Sequence, residues 1–566
     1  MLVAAILALG YLGVGARLVY LQVIKQHELE RRAFQQQKEV VTLTPERGTI
    51  YDRNGHELAV SIKTESLYGV PSCVDDPAKV ARRLAPLLGM DSRILKEKLT
   101  GDRKFVWLAR KVAPDIPQRV DVKGEFKGML GWLPDNRRYY PNKTLASHVL
   151  GFTGTDDRGL EGLEGRYQDY IGGVAGRVAI EKDASGREIL PLDEGYRASK
   201  PGDDVVLTID EKIQYIVEKE LDDLMARSHP ISATAIVMDP KTGEVLAMAS
   251  RPAYNPNNWD EYGTAAWRNR AVADTYEPGS TFKIVTASAA LEENTVRPET
   301  IINCGDGSIR VGGKVIHDSH NEGGNMSFAQ VIQKSNNVGT VVVALKLGGG
   351  KLYKYAKAFG FGEKTGIDLP GEAEGRLRDV KDWSGLSVAS VAIGQEVSVT
   401  PLQMLSAVNC VAEGGEYHAP YIVSEVRSAD GKVVKGAGPG AARTVMSKAT
   451  AKKLAAILST VVEEGGTAMQ ANIKGYQVAG KTGTAQKYDP RLRRYSNEKF
   501  FSSFVGFVPA DDPKLSAIVV VNEPKGQYYG GQVAAPAFKR IAEQTLTYMR
   551  VPTRLPERTV LVEGRP

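Results

Sequence analysis

Cysteine is nearly missing from this chain. Cys73, Cys304 and Cys410 are the only three in 566 residues. An odd number of distant cysteines, with no Cys-x-x-Cys, excludes a disulfide framework and a thiolate zinc site. Histidine is also scarce, at seven residues. Only His317-x-x-His320 has ligand-like spacing, and it sits in a Gly/Asp-rich loop without a third ligand, so no metal centre is expected. A strong charge of one sign is lacking too: 73 basic against 67 acidic residues leave +6. No nucleic-acid-binding signature occurs, so no nucleic-acid partner is expected. Repeats and low-complexity tracts are absent.

Long apolar runs are missing as well, except at the start. "MLVAAILALGYLGVGARLVYLQVI" holds one charge, Arg17, in 24 residues. As a helix it would span about 36 Å, enough to cross a bilayer with tilt. A cleaved signal peptide, cut near Val14-x-Ala16, is the alternative. There is no basic n-region and the apolar helix resumes at Leu18, so a retained anchor over 1–24 is expected. Arg17, Lys25, Arg31 and Arg32 would favour a cytoplasmic body, yet long domains translocate regardless of flanking charge. The remainder has an ordinary globular composition, 42% hydrophobic and 25% charged. It is too long for one core, so two or more domains are expected.

Residues 25–40 read as a polar helical stalk. Residues 41–205 read as an extended accessory module with short strands. In it, Asn54-Gly55 marks a hairpin, residues 77–120 look helical and charged with Asp75 or Asp76 as N-cap, and 121–200 are turn-rich. At about residue 206 the character changes. A strand leads into an amphipathic helix with Ile213, Ile216, Leu221 and Leu224 near one face. "TAIVMDPKTGEVLAMASRP" is a hairpin. Helical runs follow, then three strands in "GYQVAGKTGTAQ", "FFSSFVGFVP" and "KLSAIVVVNEP", and a last helix near "AAPAFKRIAEQTLTYM". Strands early and late with helices between predict an α+β domain over 206–550 whose sheet closes across the chain. Residues 551–566 form a Pro/Arg-rich tail.

Three short motifs carry the chemistry. In "YEPGSTFKIVTASAAL", Ser280 and Lys283 are spaced to meet on one helical turn. The helix start favours negative charge on the serine, and Phe282, Ile284 and Val285 would desolvate Lys283 into a useful base. A lysine that snorkels to water is the bland alternative. A second tetrad, Ser496 to Lys499, lies in what reads as a polar loop and is read as chance. In "QKSNNVGT", Ser335 could relay a proton and Asn337 could hold substrate or the lysine; a simple helix cap is the alternative. Lys-Thr-Gly occurs at Lys241, Lys364 and Lys481. The first reads as a hairpin tip and the second as a loop. The third continues as a strand, on which Lys481 and Gly483 share one face and Thr482 and Thr484 the other. Gly480 and Gly483 are expected to leave room for a ligand backbone, Lys481 to attract a carboxylate, and an N–H near Thr484 to face an oxyanion. Such an edge strand binds an extended peptide by strand addition.

Ser-x-x-Lys, then Ser-x-Asn 55 residues on, then Lys-Thr-Gly-Thr on a late strand, is the ordered motif set of serine acyl-transferases acting on D,D-peptides and β-lactams. With these motifs the chain resembles the class B penicillin-binding proteins, membrane-anchored peptidoglycan D,D-transpeptidases. "RGTIYDRNGHELAVS", "GLEGLEGRYQDYIGG", "FGFGEKTGIDLPGE" and "AIGQEVSVTPLQM" carry the resemblance across nearly the whole chain. "LAVS", "IQKSNNVGT" and "YYGGQVAAPAFKRI" resemble the septal, division-type branch, with the elongation-type branch as the near alternative. The resemblance implies a penicillin-recognising α+β fold, an antiparallel sheet with helices on both sides, on a dimerisation-type pedestal behind one transmembrane helix.

By the same resemblance, Ser280 is acylated by a stem peptide ending in D-Ala-D-Ala, with release of D-alanine, and a neighbouring amine resolves the acyl-enzyme. Lys283 acts as base, Ser335 as relay and Asn337 as ligand of the peptide amide. Lys481, Thr482 and Thr484, around Gly483, recognise the carboxylate, and the backbone N–H groups of Ser280 and Thr484 form the oxyanion hole. β-Lactams acylate the same serine. No metal or organic cofactor is implied. The implied partner is a polytopic membrane glycosyltransferase with other division proteins, and the implied place is the cytoplasmic membrane with the catalytic domain outside. Asn336 stands where this branch often has serine, with little consequence expected. A D,D-carboxypeptidase or β-lactamase, and a non-enzymatic β-lactam sensor or division scaffold, are the alternative functions.

Overall fold

The computed structural model describes all residues except 1, 27–37, 183–187, 320–322, 437, 439, 490–493 and 554–566. Most of the stalk expected at 25–40, His320, and nearly all of the tail expected at 551–566 lie outside the described residues. The chain divides into two compact units: Met1–Gly48, Ser61–Tyr139 and Gly172–Asp203 form one, and Thr49–Val60, Tyr140–Ile171 and Asp204–Pro566 the other. Residues 41–205 therefore contribute segments to both.

In the first unit an apolar helix, Leu2–Val19, continues through Tyr20–Ile24. The stretch Ala5–Ile24 is long and apolar enough to cross a membrane, and none of it is buried against protein. Helices Pro77–Leu88 and Ser92–Leu99 are each opened by an aspartate: Asp76 accepts from Lys79 N and Asp91 from Arg93 N. The helical reading of 77–120 fails at Val106–Val112, a strand paired antiparallel with the end of the strand Glu57–Gly69. Val106 and Trp107 favour the pleated conformation. Leu108 joins Leu67, Leu84, Leu95 and Leu99 in one core, which the strand's pairing makes possible.

The second unit is built on a five-stranded sheet. Its strands are β1 (Ser232–Met238), β2 (Val245–Arg251), β3 (Ala479–Asp489), β4 (Arg494–Val508) and β5 (Leu515–Asn522). Their order is β2-β1-β5-β4-β3, antiparallel throughout. The first and last thirds of the domain thus pair across the chain, as the strand–helix–strand pattern predicts. Six helices matter here: α1 (Glu211–Ser228), α2 (Lys283–Glu292), α3 (Asn337–Leu347), α4 (Pro401–Ala412), α5 (Lys448–Thr460) and α6 (Gly530–Tyr548).

Helices cover both faces, so β1 is buried along its whole length and reads as one apolar run. Alternation still sorts its side chains. Ala233, Ala235 and Val237 pack with Val217 and Leu221 of α1 and Phe538 and Ile541 of α6. Ile236 and Met238 join Ile284 and Val285 of α2 and Leu402 and Leu405 of α4 in the other layer. Phe538 meets Phe504 of β4 edge-on, at 4.7 Å between ring centroids, and such a fully buried ring contributes about 2–3 kcal/mol through area alone.

The expected hairpin at Asn54-Gly55 is present. Asp52 accepts from Asn54 N and His56 N, both at 2.8 Å, and Gly55 takes the positive φ of 87° that the turn needs. The same carboxylate accepts from Glu211 N at 3.1 Å, which fastens the turn to the start of α1.

Candidate active site

Ser280 and Lys283 lie on one continuous turn. Residues Gly279–Phe282 form a single 3-10 turn that runs directly into α2. The turn is wedged between β3 and the loop at Gly394. Gly279 N donates to Gly394 O at 3.1 Å, and a Cβ on Gly394 would lie 2.1 Å from Gly279 O. On the other side, a Cβ on Gly483 would lie 2.4 Å from Ser503 Oγ and 2.9 Å from Pro278 O. A Cβ on Gly480 would lie 2.5 Å from the Phe504 ring. The expectation that these two glycines clear space for a ligand is therefore corrected: they let β3 close on β4 and on the serine turn.

Lys283 is fully buried. Its Nζ donates to Ser335 O at 2.6 Å, to Asn337 Oδ1 at 2.7 Å and to Ser335 Oγ at 3.4 Å. Among the described residues it makes no hydrogen bond to Ser280 Oγ. Burial pushes its pKa down to about 7, against the opposing pull of the Asp318 charge. Ser335 holds a left-handed backbone, φ 60°, a strained state that persists only where neighbours fix it. Asn336 caps α3, its side-chain oxygen accepting from Gly339 N at 2.6 Å. The capping alternative and the catalytic reading thus fall on different residues of the same motif.

β3 is the edge strand nearest the serine. Thr482 and Thr484 line a cavity of about 340 Å³ together with Ser280, Ser335, Thr467 and Tyr529. Thr482 and Thr467 share a hydroxyl–hydroxyl bond of 2.8 Å, and Thr484 Oγ1 accepts from Gly530 N at 3.0 Å. Lys481 is fully buried. Its Nζ reaches Thr482 O at 3.4 Å and Thr482 Oγ1 at 3.5 Å. Burial first, and then the positive charge of Lys283, hold it well below the usual lysine range. Residues of all three motifs, Ser280, Ser335, Thr482 and Thr484, therefore meet at one cavity, while Lys283 and Lys481 are fully buried.

Other pattern matches separate from it. Ser496 and Lys499 lie on β4 rather than in a loop, with Ser496 Oγ accepting from Glu498 N and Lys499 N. Lys241 is at the β1–β2 hairpin tip and Lys364 in a loop. Sequence reasoning missed Asp318, Thr467 and Tyr529. Gly465-Gly466-Thr467 carries a legible turn signal, whereas Asp318 acts on residues 18 to 20 positions away and leaves none. Elsewhere, His56 Nδ1 sits 3.2 Å from Asp52 Oδ2 and 3.3 Å from Glu211 Oε2. Those three atoms lie within 4.8 Å of one another, an arrangement that suits an imidazolium between carboxylates; the Asp52 bond raises the His56 pKa.

Residues 233–543 match the Penicillin binding protein transpeptidase domain, and residues 42–207 the Penicillin-binding Protein dimerisation domain. The chain is 38% identical over 554 residues to Stage V sporulation protein D of Bacillus subtilis, covering 96% of this chain and 84% of the relative. It is 32% identical over 545 residues to Peptidoglycan D,D-transpeptidase FtsI of Escherichia coli, covering 94% and 89%. Among solved structures, Penicillin binding protein 3 of Mycobacterium tuberculosis complexed with aztreonam superimposes with a TM-score of 0.72 at 28% identity, covering 91% of this chain and 99% of that one.

Proposed function

Because this chain belongs to the class B penicillin-binding proteins, we propose that it is a peptidoglycan D,D-transpeptidase working through a Ser280 acyl-enzyme. The observation that carries the reading is the buried Lys283 amine, poised near neutrality one turn from Ser280. Ser280 Oγ attacks the penultimate D-alanine carbonyl of a stem peptide. Its proton passes to the neutral Lys283 amine, directly or through Ser335 Oγ, and then to the departing D-alanine nitrogen. The N–H groups of Ser280 and Thr484 receive the oxyanion. Thr482 and Thr484 bind the terminal carboxylate with Lys481 behind them, and Asn337 binds the peptide amide. An amine from a neighbouring stem attacks the acyl-enzyme, forming the cross-link and freeing Ser280. β-Lactams follow the first half of this path and stay attached.

Mass spectrometry after exposure to labelled penicillin tests the reading. A long-lived adduct on the peptide holding Ser280, absent from Ser280→Ala, is expected. Attachment elsewhere overturns the nucleophile, and rapid turnover turns the enzyme into a hydrolase.

The apolar helix at Ala5–Ile24 fits a single-pass anchor, and we place the catalytic domain on the outer side of the cytoplasmic membrane, where its substrate is. A polytopic glycosyltransferase is the partner that would supply glycan strands. For cellular role we favour septal synthesis, supported by the 32% identity to a relative named FtsI. A sporulation role is the second reading, favoured by the 38% identity to Stage V sporulation protein D. Depletion separates them: filaments indicate division, normal growth with defective spores indicates sporulation, and rounded cells indicate elongation.

A further inference from the structure

We propose that Asp318 is a positioning residue for acylation: it pins the start of α3 so that Ser335 and Asn337 turn their oxygens toward the Lys283 amine. The inference rests on the reading of Lys283 as base. Asp318 follows a short hairpin, Ser308–Val311 with Lys314–His317, and its own N–H donates to Gly307 O at 3.0 Å. Its carboxylate is buried and lies on the wall of the cavity that holds Ser280.

Both carboxylate oxygens are taken by the entry to α3. Oδ1 accepts from Asn337 N and from Val338 N, the latter at 3.2 Å, and Oδ2 accepts from Asn336 Nδ2 at 2.6 Å. Bonds to an ionised acceptor at a helix start are stronger than neutral ones. The residue before Asp318 completes the clasp, because His317 O accepts from Asn337 Nδ2 at 3.0 Å. With its NH₂ end tied there, the Asn337 amide has its oxygen facing Lys283 Nζ at 2.7 Å. Ser335 is held in its left-handed backbone on the same entry, Asn336 N donating to Val331 O at 2.8 Å. Its carbonyl meets the same amine.

The carboxylate also acts on the amine through space. Its charge favours the ammonium form of Lys283, while burial works the other way; from β3, Lys481 is near enough for the Lys283 charge to push it down further. Among the described residues, the other ionisable groups about the clasp are Cys304, which feels the Asp318 charge, His317 beside it, and Lys334 on the cavity wall. Removing the carboxylate has two separable effects: the amine loses its fixed acceptors, and its proton is released at lower pH.

The test is the rate of acylation by fluorescent penicillin from pH 5.5 to 9 in the full chain, for wild type, Asp318→Asn, the exchange Asp318→Asn with Asn336→Asp, and Lys283→Ala. The exchange restores an amide-to-carboxylate bond between positions 318 and 336, and keeps an acceptor for Gly339 N. Expected are a loss of about tenfold or more in Asp318→Asn, an ascending limb moved to lower pH by about one pH unit, and partial recovery of rate in the exchange. A wild-type rate and limb in Asp318→Asn overturn the inference. So does a slow Asp318→Asn whose limb stays put and whose rate the exchange does not rescue, since that is a merely structural loss. If the limb survives in Lys283→Ala, the base is another group, and both the base reading and this inference fall.

Discussion

Lys283 Nζ stands 2.6 Å from the carbonyl oxygen of Ser335, a residue 52 positions further along the chain. Among the described residues no carboxylate enters its hydrogen-bond shell, and a buried amine of that kind is in the wrong place for stability and the right place for proton transfer. Carbonyl and amide oxygens accept from the neutral amine as well as from the ammonium, so the shell does not lock the proton on. Burial then sets the balance near neutrality.

Acylation by β-lactam should therefore rise with pH through about 7 and level off above it, because only the deprotonated amine takes the serine proton. Stopped-flow rates from pH 5 to 9 check this. A profile flat across that range removes Lys283 as the base. Lys283→Arg, permanently charged, should lose acylation by about a hundredfold or more at every pH.

Gly483→Ala should slow acylation while leaving most of the fold intact. The added Cβ would meet Ser503 Oγ at 2.4 Å and Pro278 O at 2.9 Å. The serine hydroxyl can rotate away, but the Pro278 carbonyl is backbone, so β3 must move off the turn that carries Ser280. A displacement of that kind costs about tenfold to a hundredfold in rate. Comparable penicillin labelling rates in wild type and variant would show that the approach of β3 does not matter.

Much of this was readable in the chain. The apolar spacing of α1, the Pro-Lys-Thr-Gly hairpin and the three late strands are local patterns with local causes. So is the placing of Ser280 and Lys283 on one turn, although the Lys283 amine is bonded to Ser335 and Asn337 rather than to the serine hydroxyl. The legible part ends where contacts are long-range. Val106–Val112 reads as part of a charged helical region until Leu67 and Leu95 supply the core that a strand can share. Gly480 and Gly483 announce close approach, yet nothing near them in sequence says whether a ligand or Phe504 and Pro278 approach. Asn336 looks interchangeable with serine because both cap helices. Its second bond, to Asp318, belongs to a loop 18 residues upstream.

That second bond makes Asn336→Ser a measurable change. Serine retains an oxygen for Gly339 N, but that single atom cannot also stand where the amide nitrogen reaches Asp318 Oδ2. The expected loss is about 1 kcal/mol of stability, seen as a lower denaturation midpoint. Acylation should slow severalfold, with Asn336→Ala worse on both counts because the cap is lost too. Equal midpoints for wild type and Asn336→Ser would mean that water replaces the amide without cost.

Burying Lys283 also makes stability depend on pH, with a sign that follows from linkage. An unfolded Lys283 holds its proton up to pH 10.5, whereas the folded one gives it up at about 7. Between those values unfolding takes up a proton, so this residue's unfavourable contribution is complete below pH 7 and fades as pH rises toward 10.5. Lys283→Met keeps the length of the side chain and removes the titration. It also leaves Ser335 O and Asn337 Oδ1 without a donor, at about 1–3 kcal/mol unless cavity water replaces it. The net change in melting temperature at pH 7 is thus a contest between two terms of similar size. Its dependence on pH is not: the difference between variant and wild type must move in favour of wild type as pH goes from 7 to 9.5. Melting curves at three pH values read this directly. A difference that stays constant, or drifts toward the variant, would show that Lys283 keeps an ordinary lysine pKa in the fold, and would leave Ser280 without its base.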